Sequence, residues 1–345
     1  MDTTGTADDT TGTLDEALER IHLSGPERDG WLSNHAPMAV EALVRHGQAR
    51  TAHRWLDRYR DRLEAMPGPD TPVTADNWRA ALGDPRRIAD WARHFERETA
   101  ERPWREVLAE WWPRLLPGIA GGATHPVIRV GHAVRTLLTT EPTGPRVTEL
   151  AHALGYWAAR HQPLPGTRPP ADTAAPSSAA AALDAVPAVP DQSGGINHRL
   201  EQLTVVPAWP GAPADPDTAH ARLRELVRAS THRYAGFGHG DPVMLVHAAT
   251  APNAVLRTLP ALPRELWAAS LGAAWAASAA VTAAYSPAEP VPYAPAGQTP
   301  EEIFERAAAH GDDHTIKFTD TALDVGDGTA LAAAVRSIEL NVPFL

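Results

Sequence analysis

Apolar residues recur at helical spacing along most of this chain. Thr13-Leu-Asp-Glu16 reads as a capping box ahead of Leu18 and Ile21. Asn34 stands as the cap of a helix carrying Met38, Val40, Leu43 and Val44, with Gly47 suited to a left-handed stop. Asp84-Pro85 opens a helix that gathers Ile88, Trp91, Ala92 and Phe95 on one face. Thr299-Pro300-Glu301-Glu302 repeats that grammar before Ile303, Phe304, Ala307 and Ala308. Asp241-Pro242 begins the apolar run Val243 to Val246, which leads into His247. Alternating strand patterns are nearly absent, with Thr204-Val205-Val206 the best of them. The expected fold is all-α: a bundle-like single large domain made of two packed halves.

The halves are separated by residues 163–195, a Pro/Ala/Ser-rich stretch without Phe, Tyr or Trp that cannot pack a core of its own. The predicted layout is a flexible tail at 1–12, an N-terminal helical half at 13–162, a low-complexity linker or surface loop at 163–195, and a C-terminal half at 196–345. Leu266 to Ser286 carries no charge and is long enough to span a bilayer. It is mostly Ala and Ser, which suits a buried central helix approached closely by neighbours better than a membrane span.

Composition narrows the chemistry. A net charge of −11 with no basic block argues against nucleic acid and anionic membranes as partners. The absence of Cys excludes disulfides, thiolate metal sites, iron–sulfur clusters and a Cys nucleophile. The opening residues lack a signal-peptide pattern, so the expected location is cytoplasmic. The basic residues are thirty Arg and one Lys, Lys317. Guanidinium stays charged, so the sole Lys is a candidate for a position that needs an amine able to lose its proton; the competing reading is an occasional surface Lys in an Arg-biased chain.

Sixteen histidines accompany it, several at helix starts or within apolar runs: His35, His125, His132 and His247. His125 and His132 are seven apart, which returns them to one helical face roughly 10 Å apart along the axis. Singly, each is a hydrogen-bonded core histidine; together they are metal-ligand candidates if the fold gathers them. Glu149-Leu-Ala-His152 is one Glu-x-x-His where a di-iron bundle needs two. His239-Gly-Asp241 and His310-Gly-Asp312 spell the His-x-Asp of a facial triad but read better as Gly-built turns. Gly236-Phe-Gly-His-Gly240 lacks dinucleotide spacing. Trp111, Trp112, Trp157, Trp267 and Trp275 read mainly as core, with some available to wall a pocket for a flat aromatic ligand.

Ser33-Asn-His-Ala-Pro-Met38, Asn77-Trp-Arg-Ala-Ala-Leu-Gly-Asp84, Trp111-Trp-Pro-Arg-Leu-Leu-Pro-Gly118, Thr124-His-Pro-Val-Ile-Arg-Val-Gly-His132, Leu154-Gly-Tyr-Trp-Ala-Ala-Arg160, Val246-His-Ala-Ala-Thr250 and His310-Gly-Asp-Asp-His-Thr-Ile-Lys317-Phe318 resemble the questin oxidase-like family. The resemblance runs from about Ser33 to Leu323. It implies a helical oxygenase that opens a ring of an aromatic polyketide, such as an anthraquinone or its hydroquinone, using O₂ in a Baeyer–Villiger-like or dioxygenative reaction. It also implies Fe(2+) held by four imidazoles and an N-carboxylated lysine. Carried onto this chain, the ligands are His35, His125, His132, His247 and Lys317, carboxylated by CO₂. His314 is the reserve, as a ligand or as the partner of one, with His310 and Asp320 as supporting groups. NADPH as a reductant has no motif to support it, and the expected assembly is a monomer or homodimer. The competing expectations are a metal-free helical ligand-binding protein, a lysine-dependent enzyme using unmodified Lys317, and a zinc hydrolase with the same ligands.

Overall fold

The computed structural model describes residues 8–169, 175–211, 215–294 and 297–345. The protein is all-α; among the described residues the only strands are β1 (Glu27–Arg28) and β2 (Leu32–Ser33), an antiparallel pair of two residues each. Thr204–Val206 forms no strand, and Val205 makes a single isolated bridge with Arg168. The chain divides into two compact units, unit 1 up to Gln162 together with Leu345, and unit 2 from Pro163 to Phe344.

Unit 1 holds α1 (Asp8–His22), α2 (Ala36–Arg45), α3 (Ala49–Tyr59), α4 (Trp78–Ala81), α5 (Ile88–Glu101), α6 (Trp104–Leu115), α7 (His125–Thr139) and α8 (Gly144–Ala159). Thr13 lies inside α1 rather than at its start, so the predicted capping box does not begin that helix. Of the predicted tail, 8–12 belong to α1 and 1–7 lie outside the described residues. The N-cap of α2 is His35 rather than the predicted Asn34; Asn34 stands one residue earlier, where its Oδ1 accepts the Ala36 N–H at 2.9 Å. α3 buries Ala52, Trp55, Leu56 and Tyr59, the i, i+3, i+4, i+7 stripe of a core-facing helix. α5 buries the predicted Ile88, Trp91, Ala92 and Phe95. It packs on α8 where Gly155 removes a side chain; a Cβ there would sit 2.9 Å from the Ala92 nitrogen. α2 and α7 are buried almost all round, charged residues included, and this is what sets the site.

Unit 2 holds α9 (Ala179–Asp184), α10 (Ile196–Leu200), α11 (Pro216–Phe237), α12 (His247–Thr258), α13 (Trp267–Tyr285), α14 (Pro300–His310), α15 (Asp313–Val325) and α16 (Gly328–Leu340). The long α11 is the hub, packed by α9, α12, α13 and α16. α9 arises within the stretch read as a linker: Ser178 caps it and Ala182 and Leu183 are buried, so a few Ala and Leu seat a short helix on α11. Thr299 and Glu302 close the capping box foreseen for α14. Arg264–Tyr285 is the one segment among the described residues long and apolar enough to cross a membrane, and Ala274 to Tyr285 of α13 is almost wholly buried among unit 2 helices.

Candidate metal centre

In unit 1, His35 is the N-cap residue of α2 and His125 is the first residue of α7. The two rings stack with centroids 4.5 Å apart, and their nitrogens come within 4.8 Å of one another. The chain reaches His125 through Gly122, Ala123 and Thr124, three consecutive residues at positive φ. Holding Ala123 and Thr124 there costs about 1–3 kcal/mol each, strain that packing must offset. The turn brings the Gly122 carbonyl 2.7 Å from His125 Nδ1. A carbonyl only accepts, so Nδ1 carries the proton and Nε2 holds the lone pair.

His132 lies two turns along the same helix, and its Nδ1 is 2.6 Å from Glu41 Oε2. Arg135 holds the same carboxylate, donating from Nε to Oε1 at 3.0 Å and from its terminal nitrogen to Oε2. All three side chains are at most 8% exposed.

In unit 2, His247 is the first residue of α12, and its Nδ1 lies 3.0 Å from the Met244 carbonyl, repeating the His125 arrangement. His314, the second residue of α15, packs edge-on against it with centroids 5.5 Å apart. The His314 Nδ1 is 2.8 Å from Asp313 Oδ1. One turn on, Lys317 is 1% exposed and its Nζ makes no hydrogen bond. Burial pushes its pKa down from 10.5 to about 8, against the opposing pull of Asp313 and Asp312.

These placements suit ligands. A metal-binding His characteristically donates its other ring N–H to a carbonyl or carboxylate, which fixes the tautomer. His125, His132 and His247 have that partner, and His314 has a carboxylate in the same place. A buried amine without a hydrogen bond is costly unless something further engages it. Each unit therefore offers donors of a kind that iron accepts: imidazoles in unit 1, and imidazoles with an amine able to become a carbamate in unit 2.

Other predicted residues make contacts of their own. His310 Nε2 lies 3.1 Å from the Asn341 carbonyl, tying α14 to the end of α16. Asp320, fully buried, pairs with Arg257 at 2.7 Å. Asp312 caps α15 through the Thr315 N–H, and Asp241 accepts the Met244 N–H, so both His-x-Asp motifs build turns. Glu149 pairs with Arg129 at 2.6 Å and meets His22, while His152 reaches Glu96 at 2.7 Å. Gly238 sits against the Tyr234 ring, where a Cβ would come within 2.8 Å, a packing glycine rather than a nucleotide loop. Trp112 and Trp157 are fully buried core; Trp267 is half-buried. Sequence reasoning passed over Glu41 and Asp313. Glu41 had a signal, being the one acid in the otherwise apolar run Ala36–Val44.

A questin oxidase-like family model matches residues 32–321, most of the chain. The protein belongs to the questin oxidase-like family, whose members are oxidases or oxygenases acting on polyketide-type small molecules with oxygen. No curated protein matches it.

Proposed function

We propose that the protein is a non-heme iron oxygenase that cleaves a C–C bond in a ring of an aromatic polyketide, such as an anthraquinone or its hydroquinone. Its metal ligands are His35, His125, His132, His247 and the N-carboxylated Lys317. His314 shares the His247 environment and serves as a further ligand or as its neighbour.

The observation that carries the reading is the Lys317 amine: the only lysine, buried, and without a hydrogen bond. With a pKa of about 8, roughly a tenth of it is neutral at pH 7, against roughly one part in three thousand for an ordinary lysine. The neutral nitrogen uses its lone pair to attack CO₂; one N–C bond forms as one C=O π bond opens onto oxygen, the nitrogen gives one proton to water, and the side chain becomes an anionic carbamate. Arginine cannot take that step, because its nitrogen lone pairs are delocalised and its proton is not lost. The carbamate supplies an oxygen donor on a long stem beside neutral imidazoles, a set that suits ferrous iron. Iron supplies the one-electron chemistry that lets O₂ react with an electron-rich ring. Gly122, Met244 and Glu41 hold imidazole tautomers in place, so little reorganisation accompanies binding.

Metal analysis, oxygen consumption with hydroquinone-type substrates, and carbon NMR after exposure to ¹³CO₂ test this. The wild type is expected to carry one iron per chain and a carbamate resonance, and Lys317→Arg to lose both along with activity. Full iron content and activity in Lys317→Arg would overturn it. Trapping of a carbonyl substrate on Lys317 by borohydride would instead favour the unmodified amine as nucleophile.

A further inference from the structure

Four of the five imidazoles around the proposed centre stand in the first turn of a helix or at its cap: His35, His125, His247 and His314. His132 does not. It sits in the middle of α7, where every backbone carbonyl within reach is committed to the helix ladder. No local carbonyl can fix its tautomer as Gly122 fixes His125. The oxygen that meets its Nδ1 comes from another helix, ninety-one residues earlier in the chain: Glu41 of α2.

We infer that Glu41 is a positioning residue for the metal, orienting His132 through its Nδ1–H, and that Arg135 fixes the place of the carboxylate by holding both of its oxygens. The inference rests on the proposed iron site.

Glu41 Oε2 accepts from His132 Nδ1 at 2.6 Å, a charge-assisted length. The Arg135 guanidinium engages both carboxylate oxygens, and the Thr136 hydroxyl comes within 3.5 Å of Oε1. His132 Nδ1 lies 2.6 Å from this carboxylate oxygen and 3.3 Å from the Arg135 terminal nitrogen, so the shorter contact, to the acceptor, sets the proton on Nδ1 and the lone pair on Nε2. A carboxylate raises the donor strength of the ring more than a carbonyl does, and loss of such a partner weakens metal binding by roughly 10–100-fold. Arg135 also keeps the arrangement affordable, since a lone buried carboxylate would protonate instead.

The test uses apo full-length protein, wild type and Glu41→Gln, titrated anaerobically with ferrous iron against a competing chelator. A parallel measurement is ¹⁵N and ¹H imidazole NMR of the metal-free proteins. Wild type is expected to show a strongly downfield Nδ1–H on His132 that is lost in Glu41→Gln, and the variant is expected to bind iron at least 10-fold more weakly. Because Glu41→Gln breaks the buried ion pair with Arg135, the double variant Glu41→Gln/Arg135→Gln, which removes the ion pair whole, is measured beside it, with circular dichroism to show that each is folded. A folded variant with wild-type iron affinity overturns the inference, as does a wild-type His132 protonated on Nε2. Failure of the wild type to bind iron overturns the iron site instead, and leaves the NMR result to decide the role of Glu41.

Discussion

The buried charges around α7 and the buried amine on α15 solve the same problem in opposite ways. Glu41 and Glu149 are each held by a guanidinium from α7, Arg135 and Arg129, so burial is offset by a partner of fixed charge. Lys317 has no such partner at hydrogen-bond distance, and burial lowers its hold on the proton instead. The first arrangement matches each buried charge with an opposite one. The second makes a neutral amine easier to reach.

Removing half of a pair should cost most. Glu41→Gln breaks the buried ion pair with Arg135, and chemical denaturation is expected to show a loss of about 3–5 kcal/mol. A loss under about 1 kcal/mol would mean that the pair is solvated and the contrast false. Lys317→Met should do the reverse. The amine pKa falls from 10.5 to about 8 on folding, so in metal-free, CO₂-free buffer at pH 7 replacing it by an apolar chain of similar size should stabilise by about 3 kcal/mol. Destabilisation there would show that Lys317 has an energetic partner after all.

Acid titration sharpens the same contrast. Burial alone would raise the Glu149 pKa, but the charge and paired hydrogen bonds of Arg129 outweigh it and hold the carboxyl at about 2, below the ordinary 4.5. Because the folded value is the lower one, the unfolded chain binds more protons between pH 4.5 and 2. Glu149 stabilisation is thus complete above pH 4.5 and lost as the pH falls toward 2, about 3 kcal/mol over the window. Comparing wild type with Glu149→Gln by denaturation across that range should show the difference shrink with acidity; a constant difference would count against it. The smallest effect concerns the turn that aims His125. Ala123→Gly relieves a positive φ but frees the unfolded chain, for a net gain of about 0.5 kcal/mol. A fall in Tm would show that Ala123 is not strained.

Helix grammar was legible in the chain to the residue in places. The Thr299–Glu302 capping box, the Asp84 start and the buried faces of α5 and α14 follow from local hydrogen bonding and a 3.6-residue period, which need no knowledge of the rest. Thr13 misled because a capping pattern inside a continuing helix looks the same as one at its start. α9 was missed because six residues of Ala, Leu and Asp carry too little pattern to outweigh the prolines around them.

The sequence by itself determined the all-helical class, the single lysine as a candidate for chemistry and the histidines placed at helix starts, since each depends only on residue chemistry and near neighbours. Only the tertiary structure decided that Lys317 is buried deeply enough to have its pKa lowered, and that Glu41 meets a histidine ninety-one positions away. Desolvation and long-range hydrogen bonds belong to packing between helices, and no spacing along the chain encodes which side chains that packing brings together.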